Sequence, residues 1–161
     1  MNRIFSLLIG GYGGASPLAD IGLLVLRVFA GLTMASHGLG KVPPNEGLVE
    51  TVASLGFPAP VFFAWSAGLA ELVGGILLAV GLLTRPAAAA ILFTMLVAGF
   101  ILHGSQPFAE KELALLYAAV SFAFLLVGAG RFSLDGWIGE RLLGSGAGAR
   151  PLGRDRAPSP R

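Results

Sequence analysis

Two charges placed deep inside apolar runs constrain this chain more than any other feature. The stretch 21–36 (IGLLVLRVFAGLTMAS) carries a single charge, Arg27, and 61–83 (VFFAWSAGLAELVGGILLAVGLL) carries a single charge, Glu71. A lone charge at bilayer depth costs a few kcal/mol or more, so such residues face a bundle interior and find partners. Arg27 and Glu71 have opposite signs. The expected arrangement is therefore an ion pair between two helices, serving architecture, proton handling or ligand binding. Against this background the composition decides the class. Hydrophobic residues make up 55% of the chain and charged residues 12%, about half the charged share of a soluble domain. The fold expected is all-α, an integral membrane four-helix bundle.

The apolar segments run over 18–36, 60–83, 86–102 and 113–127, each near the length that crosses a hydrocarbon core. Residues 1–17 read as an interfacial segment, because their short apolar run lacks a cleavage signature. Arg3, Arg85, Arg131, Arg141, Arg150, Arg154, Arg156 and Arg161 share one side if all four segments span. Lys41 and Lys111 lie on the other side, with Glu46, Glu50, Glu110 and Glu112. The positive-inside rule then places both termini in the cytoplasm and leaves 38–59 and 103–112 as external loops. Pro60 and Pro86 sit at expected helix starts. Residues 131–143 space Leu134, Trp137, Ile138 and Leu142 as a short amphipathic interfacial helix, and 144–161 read as a disordered basic tail meeting anionic lipid.

Small residues surround both buried charges. Arg27, Gly31, Met34 and Gly38 fall on one helical face, and Ala67, Glu71, Gly74, Gly75 and Leu78 on another. Faces of this kind let two backbones approach closely. A second polar group gathers at the external helix ends: His37, Lys41, His103 and Glu112. Imidazoles there donate, accept and titrate near neutral pH. Two histidines at scattered spacing do not make a metal site. The chain has no cysteine, which excludes disulfides and thiol chemistry. No phosphate loop, nucleophile elbow or nucleic-acid motif is present, so nucleic acid is not an expected partner.

The chain resembles the DoxX family of small bacterial membrane proteins over about residues 21–137. The resemblance rests on Arg27-Val-Phe-Ala-Gly31, His37-Gly38-x-x-Lys41, Gly56-Phe-Pro58, Glu71-Leu-Val-Gly74-Gly75 and Gly81-Leu-x-Thr84-Arg85. His103, Glu112 and Gly128-Ala-Gly130-Arg-Phe-Ser-Leu-Asp135 continue it. It implies a four-helix inner-membrane protein, and a redox setting in which a DoxX subunit works with a partner subunit and electrons pass to quinone. On that reading Glu71, Arg27, His37, His103 and Glu112 are the candidate catalytic residues. His37 or His103 would bond a quinone oxygen, Glu71 or Glu112 would carry the proton, and Arg27 would hold Glu71 ionised. Lys41, Trp65 and Phe62 complete the ligand site, the aromatic residues packing on the ring. A non-enzymatic scaffold that recruits a soluble or membrane redox protein is the alternative, and a small proton-coupled exporter, dimeric in form, the third. Homo-oligomerisation is open on this reading.

Overall fold

In the computed structural model, residues 16–144 are described, with side chains to Arg141. The expected interfacial segment and basic tail lie almost wholly outside them. Six helices follow in order: α1 Pro17–Leu39, α2 Glu46–Ser54, α3 Pro60–Val80, α4 Thr84–Leu96, α5 Phe108–Val127 and α6 Leu134–Gly144. A π-helical turn, Val97–Leu102, extends α4 without a break. Three of these rods are long and apolar enough to cross a bilayer: α1, α3 and the continuous 84–102 helix. The molecule is an all-α, multi-pass membrane bundle.

Local chemistry sets the helix ends. The Ser16 hydroxyl accepts from Ala19 N at 3.1 Å to cap α1, and Pro17 and Pro60 sit at the first turns of α1 and α3, where a missing N–H costs nothing. Gly81 ends α3 at φ +71, the left-handed conformation that glycine adopts without a Cβ penalty.

Nine residues differ from expectation outright. The 38–59 region contains α2, read above as loop. The Asn45 side chain accepts from Leu48 N at 2.8 Å to start it, and Val52 turns inward to bury. α5 also begins five residues earlier than the expected 113. Glu110, Lys111 and Glu112 therefore belong to its first turns, where acidic groups complement the positive helix end.

α1 and α3 pack most extensively, followed by α4 with α5 and α3 with α4. The core between them is Met34, Leu78, Ala88, Ile91, Met95, Ala118 and Phe124. The α1–α3 contact is an antiparallel glycine seam. A Cβ on Gly75 would lie 2.6 Å from Ala35 N and 2.7 Å from Gly31 O, and one on Gly31 would lie 2.5 Å from Ala79 N. Gly38 meets the Leu72 backbone in the same way. The small residues flanking both charges thus do what their spacing predicts.

Candidate functional site

The glycine seam decides where the two buried charges go. Gly38 lies beside Glu71 and Leu72, whereas Arg27 lies beside Gly81 at the far end of α3. Arg27 is three turns down α1 from Gly38, about 16 Å at 1.5 Å per residue. That separation is beyond side-chain reach, so the expected Arg27–Glu71 pair does not form. Each charge has a different partner.

Arg27 belongs to a latch at one end of the bundle. Its Nη2 donates to the Phe132 carbonyl at 2.7 Å, while Nε and Nη1 have no hydrogen-bond partner among the described residues. The guanidinium occupies the space that a Gly81 side chain would need, and the Asp135 carboxylate acts on it electrostatically. Asp135 itself accepts from Leu83 N at 2.8 Å and Thr84 N at 2.9 Å, and its own N–H donates to Gly81 O at 2.8 Å. One buried carboxylate thereby supplies the N-cap that α4 lacks. The Arg27 and Asp135 side chains tie the chain after α5 to the α3–α4 turn.

Glu71 belongs to the opposite end. It is fully buried, and Lys41 Nζ donates to both carboxylate oxygens, at 2.6 and 2.8 Å. Gly68 makes this possible. A Cβ there would lie 2.8 Å from both Lys41 O and Val42 Cγ2, so only a glycine lets the chain after α1 lie flat on α3. Lys41 then reaches Glu71, one turn on from Gly68. The lysine remains 39% exposed while the glutamate is sealed.

The pair forms one wall of a cavity of about 170 Å³, which α1, α3, the 84–102 helix and α5 all line. His37, His103, Glu110 and Tyr117 supply its other polar groups, and Met34, Met95 and Leu113 are among its apolar ones. The His37 ring meets Tyr117 edge-on, with centroids 6.0 Å apart. His103 Nδ1 lies 2.7 Å from Gln106 Oε1. If it donates there, a neutral ring keeps Nε2 as an acceptor. The π turn brings His103 round: its N–H reaches back five residues to Ala98 O at 2.9 Å, so Ala98 and His103 line the same cavity. Such turns are frequent at functional sites.

Of the residues singled out from sequence, Glu71, Lys41, His37 and His103 converge here. Arg27 is at the other end. Glu112 is exposed on α5 and faces away, and Glu110, two residues earlier, lines the cavity instead. Phe62 and Trp65 are exposed. Trp65 borders a shallow depression with Glu46 and Glu50, and neither aromatic reaches the Glu71 cavity. The ring that does is Tyr117, which sequence reading passed over. Its position one and a half to two turns after Glu110 and Glu112 on an apolar helix was the available signal. Among the described residues no cluster of three or more His, Asp or Glu is placed to hold a metal.

The family model for DoxX matches residues 22–104, which include the whole glycine seam, the Lys41–Glu71 pair and His103. CatD of Bacillus subtilis, whose name proposes it as an oxidoreductase, is 33% identical over 122 residues, covering 74% of this chain and 88% of its own. A Mycobacterium tuberculosis membrane protein is 32% identical over 143 residues, covering 78% and 86%. The Escherichia coli inner membrane protein YqjF is 30% identical over 124 residues, covering 73% and 92%. No solved structure matches the chain at a significant level. With the family match spanning half the chain and relatives aligned over most of their length, the chain belongs to the DoxX family and is a multi-pass protein of the bacterial inner membrane.

Proposed function

We propose that this protein is a redox-associated membrane subunit whose Lys41–Glu71 cavity takes the head ring of a quinone. One observation carries the reading. An ion pair with a sealed carboxylate, two imidazoles and a phenol converge on a single cavity of an otherwise apolar bundle. A sealed carboxylate held by one half-exposed lysine stabilises a bundle less well than packed apolar residues would, so its presence on the cavity wall favours a functional use. The cavity is smaller than the roughly 300–1,000 Å³ of sites that enclose drug-sized ligands. A single ring fits it, with any tail left among the helices or in lipid. The oxidoreductase name of CatD leans the same way.

A quinone held here would supply a two-electron, two-proton acceptor for electrons from a redox partner protein. The chain's own residues manage the rest. With Nδ1 donating to Gln106, His103 Nε2 is placed to accept from a quinol hydroxyl, and the His37 ring is placed to donate to a quinone oxygen. Lys41 fixes the Glu71 carboxylate at the cavity wall, where it is placed to pass a proton. Met34 and Met95 exclude water from the floor. Mass spectrometry of co-purifying lipids is expected to find about one quinone per wild-type chain. The amount should fall about tenfold in Glu71→Gln and in His103→Ala at matched circular dichroism, the effect of losing one charged hydrogen-bonding partner. No quinone in the wild type, or equal retention in both variants, would sink the reading. A scaffold would then remain, with the Lys41–Glu71 clasp serving only to fasten the post-α1 segment to α3.

The proposed topology is four crossings with both termini in the cytoplasm. α5, at 20 residues, is about 30 Å long and matches the hydrocarbon thickness. Arg85, Arg131 and Arg141 lie at the Asp135 end of the bundle, and Lys41 and Lys111 with Glu46, Glu50, Glu110 and Glu112 at the other. A C-terminal fluorescent-protein fusion should glow and a C-terminal alkaline phosphatase fusion should be inactive. An active phosphatase would reverse the assignment.

A further inference from the structure

A second cavity, of about 190 Å³, lies between α2, α3 and the 84–102 helix. It shares no lining residue with the Glu71 cavity and uses different faces of both long helices. Its walls are apolar: Val52 and Leu55 of α2 at one end, Phe57 and Phe63 beside them, and Ala67, Ala70, Ala90 and Val97 along the sides. The two hydroxyls that border it are already engaged. Ser66 Oγ donates to Phe62 O at 2.8 Å and Thr94 Oγ1 donates to Ala90 O at 3.0 Å, each bonding its own helix. The cavity therefore presents no free side-chain donor, and its lining suits hydrocarbon.

Size and depth narrow the occupant further. An apolar cavity of roughly 150 Å³ stays dry and takes a benzene-sized guest, so a cavity of 190 Å³ does not fill with water. Ala67 and Ala70 lie within α3 and Ala90 and Thr94 within α4, both membrane-crossing rods, so the medium beside the opening is acyl chain. Phe57 and Phe63 pack at 4.7 Å and 45° and, with α2, close the end nearest the headgroups. We infer that this cavity is a lipid site in which one acyl chain of a membrane phospholipid inserts beneath α2, separate from the ligand of the Glu71 cavity. Two lines of observation support a separate ligand. The α3–α4 seam divides the two cavities, and at Gly74 it is tight enough that a Cβ would meet Ile91 at 3.3 Å. The polar groups that would recognise a ring head are all on the other side of it.

The test is native mass spectrometry of the full chain released from nanodiscs of defined phospholipid, for wild type, Ala90→Phe and Ala67→Leu. Both substitutions project bulk into the cavity from walls that are not fully buried, so at least one is expected to fold, as circular dichroism would show. Wild type should retain one phospholipid per chain, and its melting temperature should fall on detergent delipidation and recover when phospholipid is added back. In the filled variants retention should drop about tenfold, the consequence of overpacking an apolar site, and melting should no longer respond to added lipid. Undiminished phospholipid retention in a folded variant would overturn the inference. So would a retained species that proved to be a quinone, lost alike from Ala90→Phe and Glu71→Gln, since the cavity would then hold the tail of the other ligand. A failure of the quinone reading alone reads out differently: Glu71→Gln changes nothing, and the phospholipid is still lost from the filled variants.

Discussion

Replacing Lys41 with methionine should destabilise the folded bundle far more than replacing Glu71 with glutamine, although both break the same pair. Glu71 is sealed while Lys41 is 39% exposed. Without Lys41 the carboxylate is left buried without its ion-pair partner, a loss of about 3–5 kcal/mol. Without the Glu71 charge the ammonium swings its flexible stem toward water, and the amide of glutamine still offers an oxygen to accept from it. The cost should then stay near 1 kcal/mol, that of one ordinary hydrogen bond. Unfolding in mild detergent, followed by tryptophan fluorescence and circular dichroism, measures both. The double substitution Lys41→Met with Glu71→Leu should recover most of the loss. Equal destabilisation by the two single variants would show that the interior holds the lysine as firmly as it holds the glutamate.

An equally large effect is expected at the glycine seam. Gly75→Val places atoms where Ala35 N and Gly31 O already stand. These are backbone atoms of a spanning helix, so no side chain can rotate aside to relieve the overlap. Overpacking costs about 1–3 kcal/mol where neighbours can yield, and here they cannot, so Gly75→Val should exceed that range and leave little folded protein in the membrane fraction. Gly22→Val is the control, because a Cβ at Gly22 meets nothing within 4 Å, and it should accumulate like wild type. Normal accumulation of Gly75→Val would mean that α1 and α3 separate without penalty.

The helices were legible in the sequence because an apolar run of spanning length has one physical solution in lipid. The faces were legible too, since 3.6-residue spacing places Gly31 and Gly38 with Arg27, and Gly74 and Gly75 with Glu71. The partners were not. Periodicity gives the angle of a side chain around its helix but not its height against a neighbour, and that height is set here by the Gly31–Ala79, Ala35–Gly75 and Gly38–Leu72 contacts. Lys41 escaped notice as the counter-ion because it follows α1 in a glycine–proline run and reads as a surface cation. It turns inward only because Gly68, far away in sequence, leaves room for its backbone. α2 was hidden for a related reason: Pro43, Pro44 and Gly47 signal a loop, and nine residues carry too little periodicity to outweigh them, despite the Asn45 cap. The Arg27–Asp135 latch needs the chain after α5 to fold back on the α3–α4 turn, a long-range event with no local signature.

The seam also has a mechanical meaning. Two helices whose backbones touch at three successive levels move as one stiff plank, with little freedom to splay or slide. α1 and α5 scarcely approach along their backbones, yet both contribute to the Glu71 cavity, and the His37–Tyr117 ring contact bridges them. The border between α1 and α5, held there by side chains rather than by touching backbones, is thus the side of the cavity that yields at least cost, while the seam side does not.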